Sequence, residues 1–192
     1  KKQLDHLATT RETQRKRRHE NHVPHVCLIG YTNAGKSTIL NALTNAQVSA
    51  ENKLFVTLDT TTKELYIAGK KMGIISDTVG FIQYLPHHLI ESFKSTLAEL
   101  NYADLLLHVI DISNVDWPLH IQVVNQTLQE LNIDKPILHV FNKVDNITVE
   151  QRSLIDVSSY TPYVIIHATN EKGIKPLLTW LLEWHNSAII SQ

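Results

Sequence analysis

The stretch Gly30-Tyr31-Thr32-Asn33-Ala34-Gly35-Lys36-Ser37 restricts what this chain can fold into more than any other. It matches the pattern G-x-x-x-x-G-K-[ST], which requires a strand before it and a helix after it. Both signals are present. His25-Val26-Cys27-Leu28-Ile29 is a short apolar run of buried-strand character, and Ser37 to Leu43 carries apolar residues at helical spacing. In that setting Gly30 and Gly35 let the backbone turn its N–H groups inward around phosphate oxygens. The partial positive charge of the helix N-terminus adds to the attraction. Lys36 is expected to reach terminal phosphates and act in catalysis, while the Ser37 hydroxyl is a candidate magnesium ligand. Tyr31, Thr32, Asn33, Ala34 and Thr38 complete the expected nucleotide-contacting set of this loop.

The rest of the chain supports an open α/β sheet. At 192 residues and 43% hydrophobic content it can bury one real core, with room for a short appendage. The expected division is a basic segment over residues 1–23 and a globular domain over 24–192. A net charge of −1 argues against a wholesale nucleic-acid binder, but residues 1–20 hold seven basic side chains against three acidic ones. That segment reads as a polar helix with Leu4 and Leu7 its only large apolar residues. An arm on nucleic acid, the tail of a helix from a neighbouring domain and a solvated disordered terminus all fit it. The single cysteine, Cys27, rules out a disulfide framework and points to a reducing cytosol. No apolar stretch approaches membrane-spanning length.

After the loop helix, periodicity fades until the hydroxyl-rich run Thr57-Leu58-Asp59-Thr60-Thr61-Thr62. After a phosphate loop, such a run reads as a mobile segment offering one threonine to magnesium, with a β-rich edge as the plainer reading. Lys63–Ala68 and Lys71–Ser76 form an expected β-hairpin across Gly69-Lys70, whose second strand runs into Asp77-Thr78-Val79-Gly80. At the C-terminal end of a strand, where open α/β sheets bind ligands, this D-x-x-G gains meaning. Asp77 would hold a magnesium-bound water and the Gly80 N–H would meet the terminal phosphate. Downstream, residues 86–100 and a segment opened by Pro118 (Ile121, Val124, Leu128, Leu131) predict helices. Residues 104–111, 136–141 and 163–167 predict strands, and 174–184 a closing helix. This alternation calls for a mostly parallel sheet with helices on both faces.

Asn142-Lys143-Val144-Asp145 follows its strand directly, and an N-K-x-D in that place reads guanine. The Asp145 carboxylate accepts from both the ring N–H and the exocyclic amino group. Adenine would strand it, which opposes an ATPase. Asn142 is expected to tie the loops together and reach the base, and the Lys143 stem to cover the ring. In the loop of His167, Ala168 and Thr169, Ala168 is placed to offer its backbone N–H to the guanine carbonyl.

With these motifs assembled, the chain resembles the GTPase domain of the HflX family over nearly its whole length. Distinctive stretches are Gly30 to Thr38, Leu54-Phe55-Val56-Thr57-Leu58-Asp59, Asp77-Thr78-Val79-Gly80-Phe81-Ile82 with Leu85-Pro86-His87, and Ala103-Asp104-Leu105-Leu106-Leu107-His108-Val109. The resemblance implies a Ras-like, translation-factor-related fold of the P-loop NTPase class, with one antiparallel strand in a six-stranded sheet. It implies magnesium-dependent GTP hydrolysis, association with the large ribosomal subunit and its RNA, and a role in splitting or rescuing stalled ribosomes. The implied protein is a cytoplasmic monomer, with the ribosome or the membrane periphery as further places of association. By the family pattern Thr57 is the magnesium threonine, with Thr61 and Thr62 as alternatives. Residues 1–23 resemble the end of a helical linker from an N-terminal domain. Thr60 stands where proline is usual, and His167 replaces the usual serine before Ala168; the latter costs little if the Ala168 amide does the reading.

The expected catalytic contributors are Lys36, Thr57 and Gly80. Phe81 occupies the position at which Ras-like enzymes place a water-orienting glutamine. None of the five arginines (Arg11, Arg15, Arg17, Arg18, Arg152) falls in a switch segment. A slow intrinsic rate follows. Two readings stand for Asn33: an amide ligand to a potassium ion beside the phosphates, or a residue suited to a tight turn. The rival to a hydrolysing switch is a module that binds guanine nucleotide without turnover, for which Phe81 is the best support.

Overall fold

In the computed structural model, which describes residues 23–44, 61–77 and 99–190, the central strands are those with the most continuous apolar sequence. β1 (His25–Ile29) is buried at every position. It pairs in parallel with β3 (Lys70–Asp77) on one side and β4 (Leu105–Asp111) on the other. Parallel strands covered on both faces need apolar residues at every position, and this is why the alternation of a half-exposed sheet is missing here. β5 (Ile137–Asn142) and the three-residue β6 (Tyr163–Ile165) extend the sheet beyond β4, again in parallel. β2 (Thr61–Ile67) pairs antiparallel with β3, giving the order β2-β3-β1-β4-β5-β6. The six-stranded, mostly parallel α/β sheet expected from the sequence is therefore present.

The β2–β3 turn differs by one residue from the expected one. Ala68 and Gly69 form it, with φ of 51° and 76°. Two successive positive-φ residues make the primed turn whose twist matches a two-residue hairpin. Gly69 takes that conformation without strain, so Lys70 is released into the strand.

Side chains alternate across β1 and divide the core. Val26 and Leu28 join the apolar layer under α1 (Lys36–Thr44) and α4 (Glu171–Ile190), with Ile39, Leu40, Leu177 and Leu181. Cys27 and Ile29 face the other way, against Leu100, Val124 and Leu128. α2 (Trp117–Glu130) lies on that second face and buries Ile121, Val124 and Leu128, an i, i+3, i+7 stripe. It ends in a Schellman arrangement. Asn132 turns left-handed (φ 54°), its N–H donates to the Gln129 carbonyl, and the Ile133 N–H donates to the Leu128 carbonyl.

Two elements depart from expectation. α3 (Val149–Leu154) follows a capping box in which the Thr148 side chain accepts from the Gln151 N–H and Gln151 returns the bond. The signature T-x-x-Q is legible in the sequence, but the helix it starts is only six residues long. α4 begins three residues before the expected Ile174 because Asn170 caps it, its side-chain oxygen accepting from the Gly173 N–H at 2.9 Å. Pro176 lies inside this helix, which continues through it with one i→i−4 bond unmade. Of the helix expected over 86–100, Glu99 and Leu100 are described, and they are helical. Among the described residues no helix is long and apolar enough to cross a membrane.

Candidate functional site

The C-terminal ends of β1, β3, β4 and β5 lie along one edge of the sheet, and Lys36, Ser37, Asp77 and Asn142 cluster there. Gly30 leaves β1 at φ 146°, and a Cβ on it would lie 2.2 Å from the Val109 carbonyl oxygen. Gly35, at φ 104°, passes so close to Asn142 that a Cβ would meet its side-chain nitrogen at 2.3 Å. Only glycine permits either approach. Between them Asn33 adopts a left-handed φ of 62° with its side chain exposed. Asparagine tolerates that conformation well, so the turn role is visible in the backbone.

Lys36 is almost fully buried, and its ammonium donates to the carbonyls of Gly30 (3.0 Å) and Tyr31 (2.9 Å). Burial lowers its pKa to about 8, while the nearby Asp77 carboxylate opposes the shift. The Ser37 hydroxyl donates to Asp77 Oδ2 at 2.7 Å, joining the start of α1 to the end of β3. Thr38 lies in the first turn of α1. Tyr31 stacks on His120 of α2, ring centroids 3.8 Å apart and nearly parallel at 6°. Desolvation holds His120 below its usual pKa, against Asp116 and Asp111.

At the other end of the site Asn142 is buried at the end of β5. Its amide nitrogen donates to the Ala34 carbonyl at 3.0 Å, and its oxygen accepts from the Ala168 N–H at 3.1 Å. Asn142 thus joins the 30–37 loop to the loop after β6, as expected. The Ala168 N–H, expected to meet the guanine carbonyl, donates to the Asn142 oxygen here. Lys143 has a left-handed backbone (φ 64°) and its ammonium donates to the Asn33 carbonyl at 2.8 Å. The same ammonium donates to Asp111 Oδ2 at 2.7 Å. Asp145 lies in a 3-10 turn, Val144–Asn146, with its side chain exposed. His167 is half-buried and its N–H donates to the Gly173 carbonyl, while Thr169 is exposed beside it. Thr61 and Thr62 open β2, and the Thr62 hydroxyl bonds Ser76. Thr57, Gly80 and the basic segment over 1–22 lie outside the described residues.

Sequence reasoning overlooked Asp111 and His120. Asp111 carried a signal, a carboxylate closing an apolar strand on the same sheet edge as Asp77. His120 carried none, since its partner lies in another element.

The order β2-β3-β1-β4-β5-β6, a glycine loop between β1 and α1, and an N-K-x-D loop after β5 define a guanine-nucleotide-type α/β domain. Residues 25–143 match the family model described as 50S ribosome-binding GTPase. The chain is 48% identical over 182 residues to GTPase HflX of Lacrimispora saccharolytica, covering 94% of this chain and 43% of that protein. It is 41% identical over 182 residues to GTPase HflX of Escherichia coli, with the same coverage of 94% and 43%. The chain thus spans less than half the length of these curated relatives. A GTP-binding protein from Sulfolobus solfataricus, solved in complex with GDP, aligns at a TM-score of 0.63 and 27% identity, over 86% of this chain and 53% of that one. The S. thermophilus NFeoB protein bound to GDP.AlF4- and K+ shares the fold at a TM-score of 0.61 and 22% identity, over 85% and 61% of the chains. The chain belongs to the 50S ribosome-binding GTPase family, and within it to the HflX GTPases.

Proposed function

We propose that the chain is a GTP-binding and GTP-hydrolysing switch that associates with the large ribosomal subunit in the splitting or rescue of stalled ribosomes. The observation that carries this reading is the buried Asn142, bonded to Ala34 in the phosphate loop and to Ala168 in the loop after β6. One side chain thereby sets the distance between a phosphate-binding loop and a guanine-reading loop.

The residue roles follow from exchange. Lys36 leaves the Gly30 and Tyr31 carbonyls for the terminal phosphates, the Gly80 N–H joins it, and the remaining N–H groups of residues 30–38 line the phosphate chain. Asp145 accepts from guanine, the Lys143 stem covers the ring, and the Ala168 N–H transfers from Asn142 to the guanine carbonyl. His167 and Thr169 flank it. Ser37 and Asp77 fit magnesium, being hard oxygen donors already brought within 2.7 Å. Ser37 and Thr57 would hold it directly and Asp77 through water. Magnesium, when bound, supplies positive charge at the terminal phosphates. A potassium ion held by Asn33 would add more on the same side. Phe81 supplies no water-orienting amide, so turnover by the chain alone is slow.

In this reading residues 24–192 form the GTPase domain of a cytoplasmic monomer. Residues 1–23 are a basic linker, with Arg15, Lys16, Arg17 and Arg18 against ribosomal RNA phosphates. Phe81 favours a second reading, a guanine-nucleotide module without turnover. GTP hydrolysis measured with and without large ribosomal subunits separates the two. The first reading expects slow turnover alone and faster turnover with subunits; no phosphate release in either condition overturns it in favour of the second.

A further inference from the structure

Asp111 has no role among the motifs, yet it stands where the two halves of the site meet. It closes β4 directly opposite Asn142 of β5, and the Ile112 N–H bonds the Asn142 carbonyl just beyond it. One carboxylate oxygen is held by the Ser113 N–H at 3.0 Å and the Ser113 hydroxyl at 2.5 Å. The other receives the Lys143 ammonium at 2.7 Å. That ammonium also donates to the Asn33 carbonyl, at 2.8 Å, at the tip of the phosphate loop. Lys143 has a left-handed backbone, a conformation that costs a lysine and persists only where surrounding contacts hold it.

Resting on the GTP-binding reading above, we infer that Asp111 is a positioning residue: its carboxylate fixes the Lys143 ammonium on the phosphate loop and so holds the guanine-reading and phosphate-binding loops in register for nucleotide. The geometry separates its two oxygens by task. Ser113 aims the carboxylate, and the freed oxygen holds the lysine. With side-chain exposures of 26% for Lys143 and 18% for Asp111, the pair is screened only in part. Its attraction therefore exceeds that of a surface ion pair without the full desolvation cost of a buried one. Without the carboxylate, the four-carbon lysine stem regains its rotamers and the Asn33 carbonyl loses its donor part of the time. Nucleotide then binds a loop pair that must first be ordered.

The test uses the 192-residue chain and fluorescent GDP, reading Kd and dissociation rate. Asp111→Asn keeps an acceptor for Ser113 but turns an amide nitrogen toward the Lys143 ammonium. It is expected to raise Kd about tenfold, chiefly through faster release, with a melting temperature close to that of the parent. On a Lys143→Met background the same substitution is expected to add less than about twofold, since the group it acts through is gone. Unchanged GDP affinity in Asp111→Asn, or an undiminished effect on the Lys143→Met background, overturns the role of Asp111 alone. A parent chain that binds GDP no better than ADP overturns the nucleotide reading and, with it, this role.

Discussion

The phosphate end and the base end of the site hold their polar groups in opposite ways. At the phosphate end the groups that would seek a ligand are satisfied by neighbours. Buried Lys36 bonds two carbonyls of its own loop, and Ser37 bonds Asp77. At the base end the Asp145 carboxylate, proposed to read guanine, is exposed on a 3-10 turn, while the buried Asn142 and the pinned Lys143 hold the scaffold behind it. Ligand binding at the first end exchanges one set of bonds for another, so its net gain is modest and depends on the charge of Lys36. In the proposed reading, binding at the second end pairs the exposed Asp145 with guanine and moves the Ala168 N–H from Asn142 to the base, and a mismatched base leaves the carboxylate without its partners. On the proposed reading, affinity is built mainly at the phosphate end and specificity at the base end.

The largest expected effect falls at the base end. Asp145→Asn should lower GDP affinity by about a thousandfold and improve xanthosine diphosphate binding, because the new amide donates where guanine also donates. Competition titrations with the two nucleotides check this, and an unaltered preference for GDP would break the assignment of specificity to Asp145.

Cutting the tie between the ends comes next. Asn142→Ala leaves the buried Ala34 carbonyl and Ala168 N–H without their partner, at roughly 1–3 kcal/mol for each group. A clear drop in melting temperature together with GDP binding weakened at least about tenfold is expected. Were stability to fall while affinity held, the two ends would bind their parts of the nucleotide independently.

At the phosphate end the handle is pH. Burial lowers the Lys36 pKa from 10.5 to about 8, so between those values the unfolded chain holds the extra proton. Ligand-free stability contributed by this group therefore rises as pH climbs through that window. GDP affinity moves the other way, since the ammonium that meets phosphate is lost above pH 8, by up to about tenfold per pH unit. Isothermal titrations from pH 7 to 9.5 would show a plateau followed by a decline. A flat profile would mean that Lys36 does not carry the phosphate end.

The smallest effect lies beneath the site. His108 is buried in β4, and burial, with His139 and Lys36 nearby, lowers its pKa to about 3. Below about pH 6.5 the unfolded chain takes a proton that the native imidazole refuses, so this contribution is complete above that pH and declines as pH falls toward 3. His139 shifts in the same direction. His108→Leu should flatten the loss of melting temperature between pH 6.5 and 5.5 by about 2–4 °C. An equal slope in the variant would assign the acid sensitivity to other groups.

Much of this organisation was written locally. Gly30, Gly35, Lys36 and Ser37 lie within eight residues, and the strand and helix around them follow from periodicity that neighbouring residues share. The continuous apolar character of β1 and β4 announced a parallel sheet, and Asn142 to Asp145 announced its reading loop. Element ends were less legible. α4 starts where Asn170 caps it rather than where its apolar stripe begins, and the capping box at Thr148 starts a helix too short to show periodicity.

What the chain determined by itself is the order of strands and helices and the chemistry carried by three short motifs, because both depend on residues close in sequence. Tertiary structure alone decided which side chains hold those motifs together. Asn142 reaches Ala34 across 108 positions and Lys143 reaches Asn33 across 110. Asp111 meets Lys143, and His120 meets Tyr31, only because β4 and α2 come to rest between the two loops. Such partners follow from sheet order and register, which are set by burying the whole apolar surface at once and leave no mark in any local stretch.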